Sequence, residues 1–180
     1  MPLDHYLTLG HSGLRVSPLC LGTMTFGEEW GWGSTVAESE AILDRFLARG
    51  GNFIDTANGY TKGHSEVIIG DYMARPPGQR DRTVIATTFL TNLYKGDPNG
   101  GGAGRKSIVA ACEQSLRRLR TDDIDLFWMH FWDRFTPIDD GNIQLVQWLF
   151  RNDTEADCPE AMLVEFDHVI TREDVLPASA

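Results

Sequence analysis

The feature that most restricts the fold of this chain is a rhythm. Short apolar strands alternate with amphipathic helices from about residue 19 to residue 130. Leu19-Cys20-Leu21-Gly22 reads as a short strand, followed by a loop rich in Gly and Trp over residues 23–33. Thr35 with Glu38 three residues on is a capping box, so a helix starts there. Its apolar face is predicted to be Ala37, Ile42, Leu43, Phe46 and Leu47, and Gly50-Gly51 ends it. A strand over 52–57 and a helix over 65–75 come next, the helix turning Ile68, Ile69, Tyr72 and Met73 inward before Pro76-Pro77 stops it. A strand over 83–87, a loop containing Asp97-Pro98-Asn99-Gly100, and a helix over 105–120 that buries Ile108, Cys112, Leu116 and Leu119 complete the third repeat. A last strand, 124–129, ends at His130.

Strands separated by helices run parallel, because each helix carries the chain back to the end where the previous strand began. The chain is therefore α/β. Four strands and three helices by residue 130 make about half of a (β/α)8 TIM-type barrel of ~250 residues, or else a four-stranded open sheet. Ahead of the repeat, residues 6–9 and 14–16 flank Gly10-His11-Ser12-Gly13 and form an N-terminal β-hairpin. After Asp140 the rhythm breaks. Residues 141–150 are compatible with a helix or a strand, and 161–170 with a strand. Residues 139–180 hold ten acids and two bases, against sixteen and fourteen before them. That shift divides the chain into 1–140 and a divergent acidic tail, 141–180.

The net charge of −10 excludes nucleic acid as a partner. There is no run of about 18 apolar residues and no signal peptide, so a cytoplasmic chain with no membrane partner is expected. Cys20, Cys112 and Cys158 lie far apart and form neither a redox nor a metal spacing, so no metal site is expected. Gly100 to Ser107 imitates a phosphate-binding loop, but Arg105 stands where that pattern needs glycine before the lysine.

In βα folds the chemistry gathers at the carboxyl ends of the strands, where the loops converge. Those ends are Gly22-Thr23-Met24, Asp55, Thr88 and His130, with Tyr60 five residues beyond Asp55. A carboxylate, a phenol and an imidazole thus share one end of the sheet. An acid or histidine at a strand end also commonly anchors a loop, and spacing alone leaves both readings open.

Several stretches resemble the aldo-keto reductase family: "LGTMTFG", "NFIDTANGY" with "SEVIIGDY" after it, the run from Gly100 to Asp133, and "FTPIDD". The resemblance spans roughly residues 6–140, in order and with natural spacing. It implies a (β/α)8 barrel that transfers a hydride from NADPH to a carbonyl substrate by means of an Asp, a Tyr, a Lys and a His. It assigns Asp55, Tyr60 and His130 to three of these, and Gly22, Thr23 and Met24, with Asp55, to the nicotinamide end of NADP(H). The family's lysine closes a piece like "ATKF"; here the piece is "ATTF", and Thr88 holds the lysine position.

The departure has a physical consequence. A free phenol has a pKa of about 10. A neighbouring ammonium favours the phenolate and makes the tyrosine a better acid. Thr88 supplies no charge, so ordinary reductase activity is expected to fall by ~10²-fold or more. A second departure is the absence, after residue 140, of the pieces that complete the family's cofactor pocket. The expectation is a truncated, impaired reductase. The alternatives are a non-catalytic relative acting as an interaction protein, with a homodimer covering the sheet edges, or a relic without function.

Overall fold

The computed structural model describes residues 2–75 and 77–136, together with the backbone of residues 170–171. The element order is β1 (Leu7–Thr8), β2 (Arg15–Val16), β3 (Leu21–Gly22), α1 (Val36–Leu47), β4 (Phe53–Ala57), α2 (His64–Met73), β5 (Val84–Phe89), α3 (Arg105–Leu119), β6 (Asp123–Ile124), β7 (Leu126–Met129) and β8 (Ile170–Thr171). β1 and β2 form the antiparallel N-terminal hairpin. β3, β4, β5 and β7 form one parallel sheet in chain order, with helices between them. This is α/β architecture, a sector of a (β/α) barrel preceded by a hairpin.

The register aligns Gly22, Asp55, Ala86 and Leu126 across the four strands. Side chains alternate between the two faces of a strand. Ile54, Ile85, Phe89 and Phe127 therefore pack with the helices around Leu43, Ile69 and Leu119. Phe53, Val84, Ala86, Leu126 and Trp128 point the other way and pack on hairpin residues Leu9, Leu14 and Val16. The hairpin thus covers the inner face near the amino ends of the strands. α2 and α3 approach so closely that a Cβ on Gly70 would lie 2.3 Å from the carbonyl oxygen of Arg118.

The capping box is present. Glu38 N–H donates to Thr35 Oγ1 at 3.3 Å, and Thr35 N–H donates to Glu38 Oε2 at 2.9 Å. The predicted face of α1 needs correction. Ile42 is 41% exposed and Ala37 is also exposed, while Leu43 and Ser39 are buried. Ser39 joins the core side because its hydroxyl donates to Thr35 O at 2.9 Å and shares a 2.8 Å hydrogen bond with Ser34 Oγ. β5 runs past Thr87 to Phe89, so Thr88 is still within the strand. The predicted last strand is split in two at Asp125. The Asp125 carboxylate accepts Ile85 N–H at 2.9 Å and pairs with Arg80 at 2.8 Å, replacing a backbone partner with a side chain. β6 then pairs antiparallel with β8 instead of joining the parallel sheet. The expectations for 141–150 and 161–169 fall outside the described residues.

Candidate active site at the carboxyl end of the sheet

Asp55, Thr88 and His130 stand on the inner face by strand alternation, beyond the patch that the hairpin covers. His130 follows β7 and is tied to β5 by its N–H, which donates to Phe89 O at 3.0 Å. Its imidazole Nδ1 shares a 2.7 Å hydrogen bond with Thr88 Oγ1. Tyr60 opens a short 3-10 turn, Tyr60–Gly63, and its ring meets the His130 ring edge-on, at 5.9 Å between centroids and 81° between planes. The predicted carboxylate, phenol, hydroxyl and imidazole are therefore gathered at one end of one face.

The electrostatics follow from what is missing there. Burial pushes the Asp55 carboxyl up from 3.8 to about 6. Burial also raises the Tyr60 phenol above its ordinary value, and the Asp55 charge raises it further. Burial lowers the His130 imidazole. Lys62 is exposed on the turn, and among the described residues no salt bridge reaches Asp55. The site is hence a half-buried acid beside a phenol that is held protonated, with a neutral hydroxyl between acid and imidazole.

The nicotinamide-end residues differ among themselves. A Cβ on Gly22 would meet nothing within 4 Å, so its backbone borders open space. Met24 is 46% exposed. Thr23 is fully buried and its polar groups serve the fold. Its N–H and Oγ1 donate to Asp55 O at 3.0 and 2.9 Å, and its carbonyl accepts Ser65 Oγ at 2.9 Å. Among the described residues no group of three or more His, Cys, Asp or Glu side chains is placed to hold a metal ion. No helix among them is long and apolar enough to cross a membrane.

Sequence reasoning overlooked the supports of the site. Ser65 links Thr23 to Thr56 through bonds of 2.9 and 3.0 Å. Thr61 Oγ1 donates to Phe26 O at 2.6 Å and accepts Ser65 N–H at 3.0 Å, fixing the start of α2. Glu66 joins Thr87 and Arg118 in the interior. The segment Gly63-His64-Ser65-Glu66 carried the signal for Ser65 and Glu66, but nothing local pointed to Arg118, 52 residues away from Glu66. The aromatic residues after β7 are open: Phe131 and Trp132 are 59% and 57% exposed.

Comparison with known proteins agrees with the geometry. The sequence model of the aldo/keto reductase family matches residues 18–155, continuing beyond the charge shift near residue 140. Norsolorinic acid reductase stcV of Emericella nidulans is 45% identical over 137 residues, 72% of this chain and 35% of that protein. Norsolorinic acid reductase B of Aspergillus parasiticus is 46% identical over 131 residues, 68% of this chain and 34% of that protein. The putative aryl-alcohol dehydrogenase AAD6 of Saccharomyces cerevisiae is 42% identical over 138 residues, covering 72% of this chain and 65% of the yeast protein. The match thus spans about a third of the length of the two norsolorinic acid reductases. By its family match, its parallel sheet and its relatives, this chain belongs to the aldo/keto reductase family.

Proposed function

We propose that this chain carries the reacting groups of an NADP(H)-linked carbonyl reductase whose proton-donating tyrosine lacks its cationic partner. One observation supports this reading above the others. Tyr60, His130 and Asp55 converge, while the position between them is filled by Thr88, bonded to His130 at 2.7 Å. The open space at Gly22 and the exposed Met24 suit the approach of a flat, polar ring, so the residues present fit the nicotinamide end of the cofactor. Gly22, Met24 and Asp55 would hold it. When bound, NADPH supplies the hydride that reduces the carbonyl carbon to an alcohol carbon.

The chain's own part is the proton. Tyr60 O–H donates to the carbonyl oxygen, and His130 orients that oxygen from the side. A phenol raised above its ordinary pKa gives up its proton reluctantly, so turnover is slow, ~10²-fold or more below a lysine-bearing site. The names of the relatives suggest an aromatic aldehyde or ketone as substrate. A second reading, a non-catalytic relative that binds a partner chain, is favoured by the same Thr88.

Titrating NADPH into the purified chain separates the two. Binding is followed by tryptophan quenching and by energy transfer to the nicotinamide. Saturable micromolar binding, with slow reduction of an aromatic aldehyde, is expected. No binding up to millimolar cofactor would sink the reductase reading for this chain.

A further inference from the structure

Glu66 is 0% exposed, and its two carboxylate oxygens have different partners. Thr87 Oγ1 donates to Oε1 at 2.6 Å, and Arg118 Nε donates to Oε2 at 2.6 Å. A buried carboxylate needs such partners: removal of Arg118 leaves a charge stranded in the interior, and removal of the Thr87 hydroxyl leaves one carboxylate oxygen unsatisfied. Both contacts lead toward the site from the opposite face of the sheet. Thr87 immediately precedes Thr88, whose hydroxyl meets His130. Arg118 packs close to Gly63, the last residue of the Tyr60 turn. A Cβ placed on Gly63 would stand 3.0 Å from Arg118 Cδ and 3.1 Å from its Nε.

That turn needs holding. Thr61, Lys62 and Gly63 all have left-handed backbone, with φ of 45°, 58° and 91°. Two of the three carry a Cβ and are disfavoured there. Thr61 is fixed by its bonds to Phe26 and Ser65, and Gly63 by the guanidinium of Arg118. The same guanidinium, through Glu66, fixes β5 one residue before Thr88.

We infer that Arg118, acting through Glu66, is a positioning residue that sets the spacing between Tyr60 and the Thr88–His130 pair. One ion pair between α2 and α3 thereby governs both sides of the reacting group. This rests on the reading of Tyr60, Thr88 and His130 as that group.

The test uses the Hε1 proton NMR resonance of His130, assigned by its disappearance in His130→Gln. The Tyr60 and Phe131 rings both stand edge-on to His130, at 5.9 and 5.6 Å between centroids, so all variants are compared in a Phe131→Leu background, where the resonance reports the spacing of His130 from Tyr60. Arg118→Met is compared with Leu43→Ala, a core variant on α1 that destabilises the fold away from the site. Arg118→Met is expected to move the resonance, Leu43→Ala to leave it, and Arg118→Lys to restore part of it. In the reduction assay Arg118→Met lowers kcat by about 10- to 100-fold with KM little changed, as a misplaced reacting group does. A folded Arg118→Met with an unshifted resonance overturns the inference, and so does an equal displacement in Leu43→Ala. If Arg118→Met does not fold, Arg118→Lys and Glu66→Gln are read by the same criterion. The resonance is recorded without cofactor or substrate, so a chain that reduces nothing still decides the matter.

Discussion

The two faces of the parallel sheet treat polar groups in opposite ways. On the helix side, Thr23, Thr56, Ser65, Glu66 and Thr87 are all buried, and each has its hydrogen bonds. On the inner side, Asp55 has no ion-pair partner among the described residues, and its carboxyl is pushed up to about 6. Tyr60 is raised and His130 lowered beside it. Buried polar groups are ordinarily satisfied, and titratable groups with shifted pKa values tend to cluster where chemistry is done. Side chains one residue apart, Thr87 and Thr88, thus face two environments, the packed helix side and the face that carries the proposed site.

The largest change to the inner face comes from a lysine at position 88. Thr88→Lys adds an ammonium to the inner face, on the strand beside the one that carries Asp55. Reduction of an aromatic aldehyde with NADPH is expected to rise by ~10²-fold, measured as initial rates. An unchanged rate, in a variant that still folds, would mean that Thr88 is not what limits the site.

A smaller effect is expected on the helix side. Ser65→Ala removes the hydroxyl that links Thr23 and Thr56, and unpairs groups that water cannot reach. Stability falls by about 1–3 kcal/mol in urea titrations. The Asp55 titration stays where it was. If that titration moved as much as in an inner-face variant, the two faces would not be independent.

The smallest effect is the most diagnostic in sign. Asp55 has a folded-state pKa raised above its unfolded value of 3.8, so its ionisation favours unfolding. The stability penalty is absent below pH 3.8, grows as pH rises to about 6, and is full above that. Asp55→Asn removes it. The shift from 3.8 to about 6 is worth at most about 3 kcal/mol; solvent screening of this partly exposed carboxyl reduces that to roughly 1 kcal/mol, so at pH 8 the variant should melt a few degrees higher, with no gain below the unfolded pKa. A variant that melts lower at pH 8 would show that Asp55 has a stabilising partner.

Much of the fold was legible because its signals are local. The Thr35 and Glu38 cap lies within four residues, and the hairpin turn at Gly10 to Gly13 is likewise self-contained. The strand ends placed Asp55, Thr88 and His130 on one face, because parallel register turns strand order into spatial order. What escaped was long-range. Arg80 reaches Asp123 and Asp125, more than 40 residues away, and that pairing splits the last strand. Ile42 looked like core by its hydrophobicity, yet α1 turns Ser39 and Leu43 inward instead, because Ser39 is bonded to Ser34. Thr23 lies in the stretch that the family resemblance assigns to the nicotinamide end, and its side chain is tied into the fold by bonds to Asp55 O and Ser65, partners 32 and 42 residues away.

The most direct measurement is the titration of the Asp55 carboxyl, followed by its carbon-13 resonance in the wild-type chain and in Thr88→Lys. A midpoint near 6 is expected in the wild type, falling into or below the ordinary carboxylate range, about 3.9, once the lysine is present. A wild-type midpoint already near 4 would mean that Asp55 has a cationic partner or full hydration, and would contradict a site that lacks its charge.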